Sequence, residues 1–146
     1  MIEDKKFHKA LFIDSDMKWR PEDIQSLLER EELIVSAAWK IKRSSKWYGA
    51  GWESGRRASV HQTGYHQVDW VGAAFLMIDK EALQKPFPYF NALPGMRETF
   101  SFCRYVDQDI WVDFNTEVGH FPPLISAETE EFFSRLQYAV HKNQSK

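Results

Sequence analysis

Several absences narrow the field before any motif is considered. A single cysteine, Cys103, cannot close a disulfide within the chain, so no oxidising compartment is called for. No apolar run approaches the roughly 20 residues that cross a bilayer as a helix. The opening Met1-Ile2-Glu3-Asp4-Lys5-Lys6 has no long apolar stretch behind it and no small-residue cleavage pattern, so it does not read as a secretory signal. A net charge of -2 gives no reason to expect nucleic acid or an anionic membrane as the main partner. The expectation is a cytoplasmic protein without a transmembrane segment. Its 146 residues make one domain over 1–146, too short for two ordinary ones.

Aromatic rings and unevenly placed charge are plentiful. Lys40, Lys42, Arg43, Lys46, Arg56 and Arg57 make residues 40–57 basic, relieved only by Glu53, whereas every charge from Asp107 to Glu131 is acidic. The basic stretch is either a solvated face or a loop over an anionic ligand such as a diphosphate. It shares its segment with Trp47, Tyr48, Gly49, Gly51 and Trp52. Residues 40–67 show no clear hydrophobic period and read as a long loop with room for a short hairpin.

Elsewhere the periods are clear. Ala10-Leu11-Phe12-Ile13 reads as a buried strand emerging at Asp14-Ser15-Asp16. Pro21, Glu22 and Asp23 suit the first turn of a helix, whose apolar face would be Ile24, Leu27 and Leu28. Leu33 to Trp39 is a second strand, and strand–helix–strand at this spacing predicts an α/β unit with a parallel pair. Val68 to Ile78 is strand-like around Gly72-Ala73-Ala74. Asp79 can cap a short helix over Lys80–Gln84 that Pro86 and Pro88 stop. Glu98 to Val106 fits a helix, Ile110 to Phe114 a strand, and Ser126 can cap a last helix bearing Phe132, Phe133, Leu136 and Val140.

The chemistry centres on Asp14 and Asp16. Side chains two apart in an extended segment share a side, and two carboxylates held together repel unless a cation intervenes. A hard divalent ion, Mn2+ or Mg2+, takes oxygen ligands and leaves positions for phosphate oxygens. The plainer alternative is a solvated turn closing a strand.

In context, Leu11-Phe12-Ile13-Asp14-Ser15-Asp16-Met17, Pro21-Glu22-Asp23-Ile24 and Leu33-Ile34-Val35 strongly resemble the middle of a GT-A-type, family 2-like glycosyltransferase. Val68-Asp69-Trp70-Val71-Gly72-Ala73-Ala74-Phe75, continuing to Leu83, resembles that family's acceptor-side segment, and Pro88-Tyr89-Phe90 the apolar stop after it. Glu98-Thr99-Phe100 resembles its acidic-pair helix, and Ile110-Trp111-Val112-Asp113 with Val118-Gly119-His120 its closing strand and histidine.

The resemblance implies an α/β domain with a mixed sheet flanked by helices. It also implies transfer of a sugar from a nucleoside-diphosphate sugar to a glycan or other hydroxyl acceptor. Asp16 and His120 would ligate the metal. Asp14 would face the donor ribose or the metal's water shell, as ligand or through water. Gly72 and Ala73 would admit close backbone approach to the donor, and Trp70 would flank it as core or sugar platform. Glu98 would take the acceptor proton as general base, or merely stabilise a helix N-terminus. Trp47, Tyr48, Trp52 and Tyr65 are core or sugar platform in the same way. His61 and His66 read as surface residues, and Cys103 as a small buried one.

The sequence departs from the pattern in two places. Thr99 stands where the family carries a second acid, and only Met1 to Lys9 precede the Asp-x-Asp strand, where the family places a nucleotide-binding half. The expectation is therefore a truncated GT-A domain. It would be inactive alone, a split-enzyme subunit or a non-catalytic remnant, or else completed by self-association or a partner chain at an open sheet edge. A rival reading is a haloacid-dehalogenase-like phosphatase, with Asp14 as nucleophile, Asp16 as acid/base and Asp109 and Asp113 as later acids.

Overall fold

The computed structural model describes residues 8–42, 46–86, 89 and 98–120. Its main sheet contains β1 (Lys9–Ile13), β2 (Met17–Lys18), β3 (Ile34–Trp39), β6 (Tyr65–Val68), β8 (Phe75–Asp79) and β9 (Ile110–His120). Its path runs β1-β8-β3-β9-β2, with β6 also paired to β9. A smaller sheet orders β5 (Arg57–Ser59), β4 (Trp47–Gly51) and β7 (Trp70–Val71). The helices among the described residues are α1 (Pro21–Leu28), α2 (Glu98–Val106) and a 3-10 turn at Lys80–Ala82. The domain is thus α/β with a mixed sheet, since β3 runs parallel to β9 and antiparallel to β8. No helix among the described residues is long and apolar enough to cross a membrane.

The central strands are apolar on both faces because both faces are covered. Along β3, Val35 and Ala37 join Phe75, Met77, Met17 and Leu27 of α1 in one buried cluster. Ile34 and Ala38 join Leu76, Ile78, Val112 and Phe102, Cys103 and Val106 of α2 in the other. Pro21 opens α1, and Asp23 accepts a hydrogen bond from the Arg20 backbone N–H at 2.8 Å, so the acid closes the first turn. Of the predicted apolar face, Leu27 is fully buried and Leu28 points outward at 46% exposed. The eight-residue helix has only a narrow contact stripe.

Four expectations change. β8 lies between β1 and β3, so the predicted parallel pair is not adjacent, and the parallel neighbour of β3 is β9. Residues 40–67 contain β4, β5 and β6 rather than mainly loop. Their hydrophobic period is erased by Gly49 and Gly51, where a Cβ would lie 2.2 Å from the Trp39 ring and 2.6 Å from the Trp70 ring, respectively. The strand predicted to end at Phe114 runs on to His120. The short helix is a 3-10 turn, capped as expected by Asp79, which accepts from the Glu81 N–H at 2.9 Å. The helix predicted after Ser126 lies outside the described residues.

Strand β9 does the most to shape the site. Its first residues pair with β3 on one side and β6 on the other. Between Ala37 and Ala38 of β3 the register jumps from Asp113 to Glu117, a bulge in β9. Past it the strand leaves β6 and ends against β2, with His120 opposite Met17. Bulges re-aim the strand beyond them. Here the re-aimed end sets His120 beside the Asp14–Asp16 corner.

Candidate functional site

Where β1 ends, the Asp14 N–H donates to the Ala74 carbonyl at 2.9 Å, tying the acidic corner to the turn before β8. A cleft of about 460 Å³ opens there, and its walls bring distant parts of the sequence together. Asp14, Trp39, Trp70, Gly72, Ala73 and Phe100 are among its lining residues. Asp14, Trp70, Gly72 and Ala73 were predicted as site residues. Glu98 is the first residue of α2, and the two residues after it, Thr99 and Phe100, line the same cleft.

Trp39 was missed by the sequence reading, though it builds the floor. Its ring lies against the backbone of two glycines: a Cβ on Gly49 would stand 2.2 Å from it and one on Gly72 2.3 Å. The glycine predicted for close ligand approach is therefore already required by an indole. The Trp39 Nε1–H is buried and has no hydrogen-bond partner. His120 packs edge-on to the same ring, centroids 5.6 Å apart at 90°. No local signal could have exposed this, because Trp39 is on β3, Gly49 on β4 and Gly72 in the turn between β7 and β8.

Beside the cleft, Asp16 forms an ion pair with Lys42, and the two side chains are 34% and 62% exposed, respectively. The carboxyl of Asp16 is held below its ordinary range, chiefly by the hydrogen bond from Lys42; partial burial opposes this, and the charges of Lys42 and His120 assist it. Asp16 and His120 are thus electrostatic neighbours. The basic stretch reaches the same region: Lys40 pairs with Glu117 at 3.2 Å, Arg57 lines the cleft, and Arg56 lies 4.2 Å from the Trp52 ring.

Asp14, Asp16 and His120 do not converge on one point: among the described residues, no three His, Cys, Asp or Glu side chains form a group able to hold a metal ion. Asp16 and His120 instead offer one carboxylate and one imidazole. That donor set is small, and its imidazole suits Mg2+ poorly, an ion that prefers oxygen ligands. It does not fit a cage built from protein alone. Asp14 lines the cleft rather than joining them.

Of the predicted aromatic platforms, Trp70 is at the cleft, stacked on Phe100 with centroids 4.9 Å apart at 29°. Tyr48 is buried and hydrogen-bonds Glu117. Tyr65 stacks on Trp111 and donates to Glu32 at 2.7 Å, so both tyrosines are structural. Trp47 is exposed. His61 and His66 are exposed, as expected. Cys103 is buried, and burial pushes its thiol up to about 11.

No family model matches the sequence, and no curated protein does. Among solved structures, the fold is similar to the crystal structure of A197 from STIV, with a TM-score of 0.57 and 16% identity. The match covers 76% of this chain and 56% of that one, so this chain spans little more than half its length. At that identity the likeness concerns the fold alone.

Proposed function

We propose that this domain binds the diphosphate of a nucleoside-diphosphate sugar at the Asp14–Asp16 corner and serves transfer of the sugar to an acceptor hydroxyl. One observation carries the reading. Residues chosen for this chemistry from separate parts of the sequence (Asp14, Trp70, Gly72 and Ala73) line one cleft beside the Asp16–His120 pair, and α2, with Glu98 at its first position, borders it. In this reading Asp16 and His120 hold Mn2+ or Mg2+, which neutralises charge on the departing diphosphate. Asp14 and Arg57 orient the donor, Trp70 flanks the sugar, and Glu98 takes the acceptor proton. The base and ribose would be held by a further segment or a partner chain.

The phosphatase reading draws less support. It needs Asp113 free for the site, but Asp113 is buried and paired with Arg30 at 2.9 Å, and it also accepts from Thr116 at 3.2 Å and the Asn115 N–H at 3.0 Å. Asp109 accepts from Gln67 at 2.9 Å. A remnant that keeps the fold without catalysis is favoured by the ion pair already on Asp16 and by Thr99 at the second acidic position.

Calorimetric titration separates these readings. Mn2+ first, then UDP- and GDP-sugars, is expected to give metal-dependent nucleotide binding. Asp16→Ala is expected to abolish that binding with the far-UV spectrum unchanged. Binding that survives the substitution would overturn the proposal, and phosphate release from an aryl phosphate would favour the phosphatase.

A further inference from the structure

The cleft at Asp14 does not stand alone. A second cavity of about 320 Å³ shares Trp70 and Phe100 with it, and a third of about 600 Å³ shares Glu53, Asp69, Cys103 and Arg104 with the second. The three adjoin in a row and make one trough, which α2 walls throughout. Phe100, Cys103 and Arg104 lie three or four apart on one side of that helix, and Asp107 follows its last turn. At about 1.5 Å per residue, the helical stretch from Thr99 to Val106 alone runs roughly 10 Å, longer than a single sugar ring.

The lining changes character along the row. Next to the Asp14 cleft stands the aromatic pair, with Phe100 42% exposed and its ring stacked on Trp70. Farther on the walls are polar, and their groups are already fixed: Asp69 accepts from the Glu53 N–H at 2.7 Å, and Asp109 from the Gln67 amide at 2.9 Å. Asp107 faces Lys85 at 3.9 Å, Arg104 adds a guanidinium, and Gln108 adds a second amide. A pyranose presents both aspects, an apolar C–H face for a flat ring and hydroxyls that donate and accept at once. Carboxylates only accept and a guanidinium only donates, so a wall mixing them with amides matches hydroxyls. A cationic ligand would meet Arg104.

We propose that this trough holds an extended neutral glycan, one sugar ring lying on the Trp70–Phe100 pair and the following rings against the polar walls. The proposal rests on the transfer reading and deepens it by naming the acceptor as an oligosaccharide, whose end at the aromatic pair faces the Asp14 cleft. Its binding requires neither metal nor nucleotide.

The test is calorimetric titration with maltohexaose, cellohexaose, chitohexaose, laminarihexaose and xylohexaose, and with the matching monosaccharides, in the absence of metal and nucleotide. At least one hexaose is expected to bind, and its monosaccharide several-fold more weakly. Phe100→Ala and Arg104→Ala are each expected to lower that affinity several-fold, with the far-UV spectrum unchanged. Phe100→Tyr keeps a flat ring and is expected to bind as wild type does. Leu28→Ala, at an exposed position of α1, serves as the control and is expected to change nothing. No binding across the panel overturns the proposal. So does binding that Phe100→Ala and Arg104→Ala both leave intact, or a monosaccharide that binds as tightly as its hexaose. Binding of spermine or hexalysine in place of any glycan, weakened by Glu53→Gln, overturns it as well and marks the trough as a cation site. Because no nucleotide is present, failure of UDP- and GDP-sugars to bind leaves a positive result standing, so the two readings fail separately.

Discussion

At the scale of single residues, the contact between Gly72 and Trp39 sets the shape of the cleft. A methyl group on Gly72 would lie 2.3 Å from the indole, far inside van der Waals contact, so the ring must move or the turn must shift. Gly72→Ala is therefore expected to destabilise the domain by about 1–3 kcal/mol, the usual cost of overpacking, read by urea unfolding. Because the displaced ring lies beside both the cleft and His120, the same substitution is expected to change Trp fluorescence in the folded state. Asp16 illustrates the limit of residue-level reading. Its place beside a strand end is legible locally, but its pairing with Lys42 is not, because β2, α1 and β3 lie between them in the chain.

Among the elements, β9 depends most on a buried polar network at its bulge. Asp113 is 2% exposed, and its carboxylate is held by Arg30, Thr116 and the Asn115 N–H. Removing Arg30 would leave a buried negative charge with only neutral donors. Arg30→Ala is expected to cost about 2–3 kcal/mol, toward the low end for a broken buried pair because the arginine is itself partly exposed. Denaturant titration measures this. Arg30, two residues beyond the end of α1, is thereby tethered to the bulge that re-aims β9, so the same variant is also expected to disturb the packing of His120 on Trp39, read by Trp fluorescence. From sequence, Ile110 to Phe114 reads as a strand, whereas the continuation to His120 does not. Asn115, Glu117 and Gly119 interrupt the apolar pattern there because they face solvent.

For the molecule as a whole, the two buried clusters on opposite faces of the main sheet share its central strands, so the domain should open cooperatively. Cys103 reports on that opening. It is buried against Val71, its Sγ 3.5 Å from the Val71 carbonyl, and its thiol is pushed up to about 11. At pH 8 it stays protonated and enclosed in the folded state, and it returns toward an ordinary thiol on unfolding. Alkylation by iodoacetamide at pH 8 is expected to be slow in buffer and to rise with urea along the unfolding curve. Rapid labelling without denaturant would show that α2 opens separately.

The sequence by itself determined the periodic elements: the acidic corner after β1, the proline-led α1, the doubly apolar β3 and β8, and α2 with Phe102, Cys103 and Val106 inward. These are set by local spacing, because burial on one or both faces imprints a period on neighbouring residues. Tertiary structure alone decided that β8 enters between β1 and β3, that glycines of the 40–67 segment and the β7–β8 turn make room for Trp39, and that Lys42 rests on Asp16. Strand order, ring-to-backbone contact and long-range ion pairing join residues with no fixed separation in the chain. No period along the sequence can encode them.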